Sequence, residues 1–336
     1  MAPAPESQPR GGIDPYSPFR GTLLSTPRVR ELSLLRPAIP VRDALICWLW
    51  IVTAWTAVAM VPLWWVVLLA IPLIGNRYYA LFIIGHDGFH RRIFDSVQRN
   101  DLFCDLMVYA SIGAITRINK RNHLAHHTHL STDRDPDRHK HSCFHHSTRA
   151  AMVGYLTGIT SVGRSFVAVF LSRKRSASLN AASDAGGERQ QYGPRDLLIV
   201  GAWQLGLIAG LTLMIGWWAY PLLWLVPVFV FMYLADSFRA FAEHSQPVPD
   251  REGDQHRLIT FLPGRLERVL FAPMNMNFHA VHHLWPSIPY YNLPVADRES
   301  RIHPDARAIE VRKSYLQYLA YYFGVLPLPE CQVEDV

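Results

Sequence analysis

Sixteen of the 336 residues are histidine, and eight of these fall into three short patterns. His86 and His90 make an HxxxH; His123, His126 and His127 make an HxxHH; His279, His282 and His283 make a second HxxHH. At a histidine frequency of 16 in 336, roughly 0.04 chance copies of HxxHH are expected, so two are not accidental. On an α-helix, residues at i, i+3 and i+4 share a face, and each group can turn its imidazoles toward one point. Imidazoles gathered in this way bind transition metals. Eight of them exceed the four ligands of one closed zinc site and suit two ions that keep open positions. Ligand type alone leaves iron, copper and zinc open.

Two apolar blocks, roughly 44–84 and 196–238, must position these groups. Each holds about twice the ~20 apolar residues that cross a bilayer. Leu45 to Val61 and Leu63 to Ile84 read as one pair of spans, turning at Pro62 and the interfacial Trp64–Trp65 pair. Leu197–Gly216 and Leu222–Asp236 read as a second pair, with the last helix continuing into the cytoplasm through Arg239, Glu243 and His244. Asn76 and Arg77 interrupt the second span. Residues 101–118 and 150–172 read as interfacial helices, and 305–323 as an amphipathic helix. The expected fold is therefore an all-α integral membrane protein. Four transmembrane helices form two hairpins, and a cytosolic helical cap holds a di-metal site. Its parts are an irregular arm over 1–42, a membrane domain over 43–304 with a polar loop at 173–195, and a C-terminal helix and tail over 305–336.

The formal charge of +6 is explained by topology and not by nucleic acid. Lys and Arg number 6 in residues 1–42, 16 in 85–195 and 10 in 237–336, and the remaining one is Arg77. Cytoplasmic segments collect such residues, which places both termini and the middle loop inside, at the inner membrane if the cell is bacterial. No apolar run precedes Ala44, so no cleavable signal is expected. Cys47, Cys104, Cys143 and Cys331 lie far apart, with no CxxC and no evident disulfide framework. His139, His141, His145 and His146 read as a solvated surface cluster, and His256 and His303 as isolated structural residues. Asp87, Asp133, Asp135, Asp137, Asn275 and Asn277 could hydrogen-bond the outer N–H of metal-bound imidazoles, the arrangement that orients such ligands.

The order HxxxH, HxxHH, HxxHH resembles the membrane fatty acid desaturase superfamily, which also holds carotenoid ketolases and hydroxylases and alkane hydroxylases. The likeness runs over roughly 44–295 and includes His86-Asp87-Gly88-Phe89-His90, His123-Leu124-Ala125-His126-His127 and Asn277-Phe278-His279-Ala280-Val281-His282-His283. It implies a cytosolic di-iron centre using O2 as co-substrate, a lipid or acyl-chain substrate in the bilayer, and electrons from a separate ferredoxin or cytochrome b5. It also implies a ninth ligand after the fourth span, where this chain has His244. Some desaturases carry Asn four residues before that histidine; Ala240 stands here. No catalytic residue beyond the metal ligands is expected.

The run Tyr290-Tyr291-Asn292-Leu293-Pro294 resembles the acyl-lipid branch, which makes acyl-lipid desaturation the leading reading and a carotenoid or other lipid hydroxylase or ketolase the alternative. A membrane metal transporter or haem-binding electron carrier would also use many histidines. Transporters hold their ligands near the bilayer midplane, whereas residues 44–84 and 196–236 contain no histidine.

Overall fold

Length and apolarity decide where the membrane lies. The computed structural model describes residues 17–130, 134–158, 192–245 and 259–328. Among these, four helices are long and apolar enough to cross a bilayer: α3 (Ala38–Met60), α4 (Trp64–Phe89), α9 (Pro194–Met214) and α10 (Pro221–His244). The first half of α10 is wound in wider π-type turns. Pro227 lies there and lacks the N–H that an α-helical bond would need.

α3 and α4 pack along each other, and α4 packs against α10. The second contact is very close: a Cβ on Gly75 would stand 2.6 Å from Phe231 Cβ and 2.7 Å from the Pro227 carbonyl. Trp48 stacks on Trp203 and Trp224, with ring centroids 5.3 and 5.8 Å apart, and ties α3 to α9 and α10. Apolar residues of α3, α4 and α9 that face away from the protein, such as Leu49, Leu68, Leu198 and Leu213, are exposed, as lipid-facing residues must be.

Beyond the spans and the N-terminal segment, the chain adds shorter helices. They are α5 (Val97–Cys104), α6 (Thr116–His129), α7 (Arg138–His141), α8 (Arg149–Leu156), α11 (Arg265–Phe271), α12 (His279–Leu284), α13 (Leu293–Ser300) and α14 (Tyr315–Val325). Two short strands, β1 (Ile259–Phe261) and β2 (Glu310–Arg312), pair in parallel with Ile259 opposite Glu310.

Several expectations are corrected. The arm expected to be irregular carries α1 (Ser17–Leu23) and α2 (Thr26–Leu32), and α3 begins at Ala38. Prolines that read as breakers sit at helix starts, where their missing N–H costs nothing. This segment straps the third histidine region: Ser33 Oγ bonds Ser287 Oγ at 2.9 Å, and Asn292 Nδ2 donates to the Leu32 carbonyl at 2.7 Å. The helix expected over 305–323 starts at Tyr315, because 310–312 pair with a strand fifty residues earlier. Residues 101–118 break into α5, a π turn, a 3-10 turn and the start of α6. Cys143 is disulfide-bonded, which sequence separation did not reveal. Asp133, His256, Cys331, residues 159–172 of the expected interfacial helix and 173–191 of the polar loop lie outside the described residues.

Candidate metal centre

Four helices deliver the histidines. α4 carries His86 in its last turn and ends on His90; α6 carries His123, His126 and His127; α10 ends on His244; α12 carries His279, His282 and His283. A close approach holds α4 in place: a Cβ on Gly88 would lie 2.1 Å from Cys104 Sγ, so only glycine fits between α4 and α5.

All nine histidines converge, in two adjoining groups. His86, His90, His123, His127 and His282 point ring nitrogens to one place, all within 4.8 Å of one another. His90 and His123 Nε2 are 2.7 Å apart, and His127 and His282 Nε2 3.1 Å. His126, His244 and His283 form the second group, also within 4.8 Å. His279 joins it, with Nε2 2.7 Å from His244 Nε2 and 2.9 Å from His283 Nε2. The rings of His127 and His283 stack at 4.1 Å and link the groups.

These donors fit metal ions. Metal–imidazole bonds of about 2.0–2.1 Å place two nitrogens of one ion no more than about 4.2 Å apart. Imidazole nitrogens that face one another at this range in a buried site could bind an ion placed between them in common. Burial is the first cause that holds His123, His127, His279, His282 and His283 well below the usual histidine range, and the neighbouring imidazoles and cations add to it. Burial likewise depresses His90 to about 3. The rings are therefore neutral at physiological pH, the form in which imidazole binds metal.

Behind the second group stand two carboxylates. Asp135 Oδ1 accepts from His126 Nδ1 at 2.9 Å, and its Oδ2 lies 3.1 Å from His141 Nε2. Burial opposes the charge on Asp135, but the hydrogen bonds from His126 and His141 outweigh it and hold the carboxyl well below its usual range. Glu243 Oε2 lies 3.3 Å from His279 Nδ1. Arg239 Nη1 donates to the same oxygen at 2.6 Å, Tyr315 OH donates to Oε1 at 2.8 Å, and Arg239 Nε donates to Tyr79 OH at 2.6 Å. Carboxylates in such places fix the tautomer and orientation of metal-bound imidazoles.

Other sequence candidates go elsewhere. Asp87 is buried but accepts from the Tyr290 backbone N–H at 2.7 Å, not from an imidazole. Asn275 donates to the Tyr290 carbonyl and Asn277 to the Phe261 carbonyl, so both hold turns that position α12. Asn275 takes a left-handed φ of 61°, which its short polar side chain tolerates. His139 and His145 are exposed as expected, whereas His141 and His146 are buried, because Asp135 and the backbone carbonyls of residues 139 and 140 draw them inward. His303 accepts from the Asp305 N–H and caps a turn. Sequence reasoning missed Tyr79, read His141 as part of a solvated surface, and gave Tyr315 and Glu243 no role at the site. Only the adjacency of Glu243 to His244 could have signalled one.

An apolar cavity of about 370 Å³ opens between the spans and the cap, lined by Pro72, Gly75, Tyr79, Phe231, Phe238 and Leu319 among others. Tyr79, on its wall, is the residue bonded to Arg239. A smaller cavity of about 280 Å³ is lined by His90, Arg91, Arg92 and Lys120 among others.

The chain thus combines four membrane-length helices with histidine groups that could hold metal, and comparison with known proteins gives its class. The model of the fatty acid desaturase family matches residues 62–315, and the chain belongs to that family. It is an oxidoreductase of lipid metabolism and a multi-pass membrane protein. The chain is 24% identical to the sn-1 oleoyl-lipid 12-desaturase of Arthrospira platensis over 247 residues, which cover 71% of this chain and 69% of that protein.

Proposed function

We propose that the protein uses O2 to desaturate the fatty-acyl chain of a membrane lipid at a di-iron centre. The observation that carries this reading is the convergence of nine histidines from four helices into groups of five and four. The five-histidine group is His86, His90, His123, His127 and His282, and the other is His126, His244, His279 and His283. Together with O2, two bound irons supply the oxidising power that removal of hydrogen from an unactivated methylene demands and amino-acid side chains lack. The protein's own part is to hold neutral imidazoles in place, to exclude water and to seat the chain. Asp135 orients His126, and Glu243 stands beside His279. The apolar cavity suits a hydrocarbon and offers it no polar group that would have to be desolvated.

Family membership and the name of the acyl-lipid relative support desaturation over oxygen insertion. Electrons must come from a separate donor of ferredoxin or cytochrome b5 type. The cavity bearing Arg91, Arg92 and Lys120 beside His90 suits the acidic surface of such a protein. With Lys and Arg concentrated as they are, both termini face the cytoplasm.

The test is metal content with Mössbauer spectroscopy on protein from cells grown on enriched iron, followed by lipid analysis of the same cells. Two coupled irons per chain and new double bonds are expected. A single zinc would sink the reading, and oxygen-bearing products would move it to a hydroxylase or ketolase.

A further inference from the structure

Asn76 is a polar residue inside a span, and its side chain has an unusual partner. It stands 12 residues along α4 from Trp64, or about 18 Å at 1.5 Å per residue. A bilayer core is about 30 Å thick, so a span entering at Trp64 still has Asn76 within the hydrocarbon. Its Nδ2 donates at 2.7 Å to the backbone carbonyl of Val269, in α11. The last carbonyls of any helix lack intrahelical partners, and at this depth no water can replace them. Asn76 therefore satisfies a carbonyl of a helix that lies beside α4 at acyl-chain level.

The surface of α11 agrees with that depth. Leu266 is 72% exposed, and Val269 and Leu270 are exposed beside it. Leu316 of α14, also exposed, adjoins the same face. None of these residues belongs to the four spans, and in water they would form a costly apolar patch. Arg265 and Arg268 supply the basic residues typical of a helix lying at a lipid interface. The 370 Å³ cavity is shared between both sets of elements: Tyr79, Phe231 and Leu234 come from the spans, and Leu270, Leu316 and Leu319 from α11 and α14.

We propose that α11 and α14 lie in the cytoplasmic leaflet, and that the gap between them is a lateral portal through which an acyl chain enters the cavity directly from the bilayer. The substrate is then a lipid resident in the membrane, with its headgroup at the interface, and not an acyl chain delivered from water. This rests on the proposed lipid oxidation, but the position of α11 can be measured without turnover.

A nitroxide on Leu266→Cys or Leu316→Cys, in the full chain reconstituted in phosphatidylcholine vesicles, should relax with O2 and not with a water-soluble nickel chelate. A label on the exposed Asp305 should do the reverse. A water-side profile at Leu266 overturns the portal whatever the enzyme does. Leu270→Trp and Leu319→Trp, which narrow the gap, should cut oxidation of vesicle lipid roughly tenfold or more, the scale on which pocket contacts discriminate. Metal content and melting temperature should stay unchanged. Full activity in both variants also overturns the proposal. An iron-loaded wild type that oxidises no lipid, with Leu266 deep in the leaflet, would instead refute the functional reading and leave the membrane position of α11 established.

Discussion

His126 Nδ1 and Asp135 Oδ1 stand 2.9 Å apart, both side chains buried and nine positions apart in the chain. That bond commits the Nδ1 proton to Asp135 and leaves Nε2 for metal. Asp135→Asn loses the charge and can present the wrong hydrogen-bonding group to the ring. Metal affinity of the four-histidine group should fall by roughly 10–100-fold, the usual effect of removing such a partner. Titration with Co(II), followed by its absorption bands, should show one of two sites weakened; two unaltered sites would refute the role.

The histidine patterns separate ligands from bystanders. His283→Ala removes a ring that faces His279 and stacks on His127, and should abolish turnover while lowering iron content. His139→Ala removes an exposed ring whose Nδ1 meets the Pro136 carbonyl, and should leave both unchanged. Iron analysis of the two purified variants decides the point. Retained activity in His283→Ala would count against the whole metal assignment.

Arg239 and Glu243 form a buried ion pair one helical turn apart on α10. Removing one partner strands the other charge, at about 3–5 kcal/mol. Arg239→Met should lower the melting temperature in detergent sharply and disturb His279. The double variant Arg239→Met with Glu243→Gln should recover much of the stability. Equal melting temperatures for the single variant and the wild type would contradict a paired, buried Glu243.

Gly88 is the contact point of α4 with α5. In Gly88→Ala the new methyl meets Cys104 Sγ, and overpacking of this kind costs about 1–3 kcal/mol. Because His86 and His90 flank the position, metal retention should fall with stability. Adding Cys104→Ala should restore both; failure to do so would show that the strain lies elsewhere.

His146 gives a pH signature away from the metal. Burial, helped by the nearby His145 and His141, lowers it from 6.5 to about 3, while Nε2 donates to the carbonyls of His139 and Lys140. The folded state thus binds fewer protons than the unfolded one. The stability from neutral His146 is fully present above pH 6.5 and is lost as pH falls from there toward 3. Each unit in that window removes up to about 1.4 kcal/mol. Comparing melting temperatures of wild type and His146→Gln at pH 7.5 and 5.5 should show a smaller drop in the variant; parallel drops would exclude His146 as the source.

The sequence alone determined the four spans, because apolar runs of bilayer length leave few other solutions. It also singled out eight of the nine histidines that converge, because spacing of three and four along a helix is a local property that survives any tertiary arrangement, whereas His244 came from the family resemblance. Tertiary structure decided what depends on contacts between distant segments. The division of nine rings into groups of five and four follows from how α4, α6, α10 and α12 cross, which no spacing encodes. Tyr315 reaches Glu243 across 72 residues, and β2 finds β1 across about fifty, so neither was legible locally. His141 and His139 look alike in sequence, yet one meets Asp135 inside the protein and the other faces water. Asn76 reads as a flaw in a span until α11 lies beside it with a carbonyl to satisfy. In each of these cases the partner is supplied by folding, and burial then sets how much the contact matters.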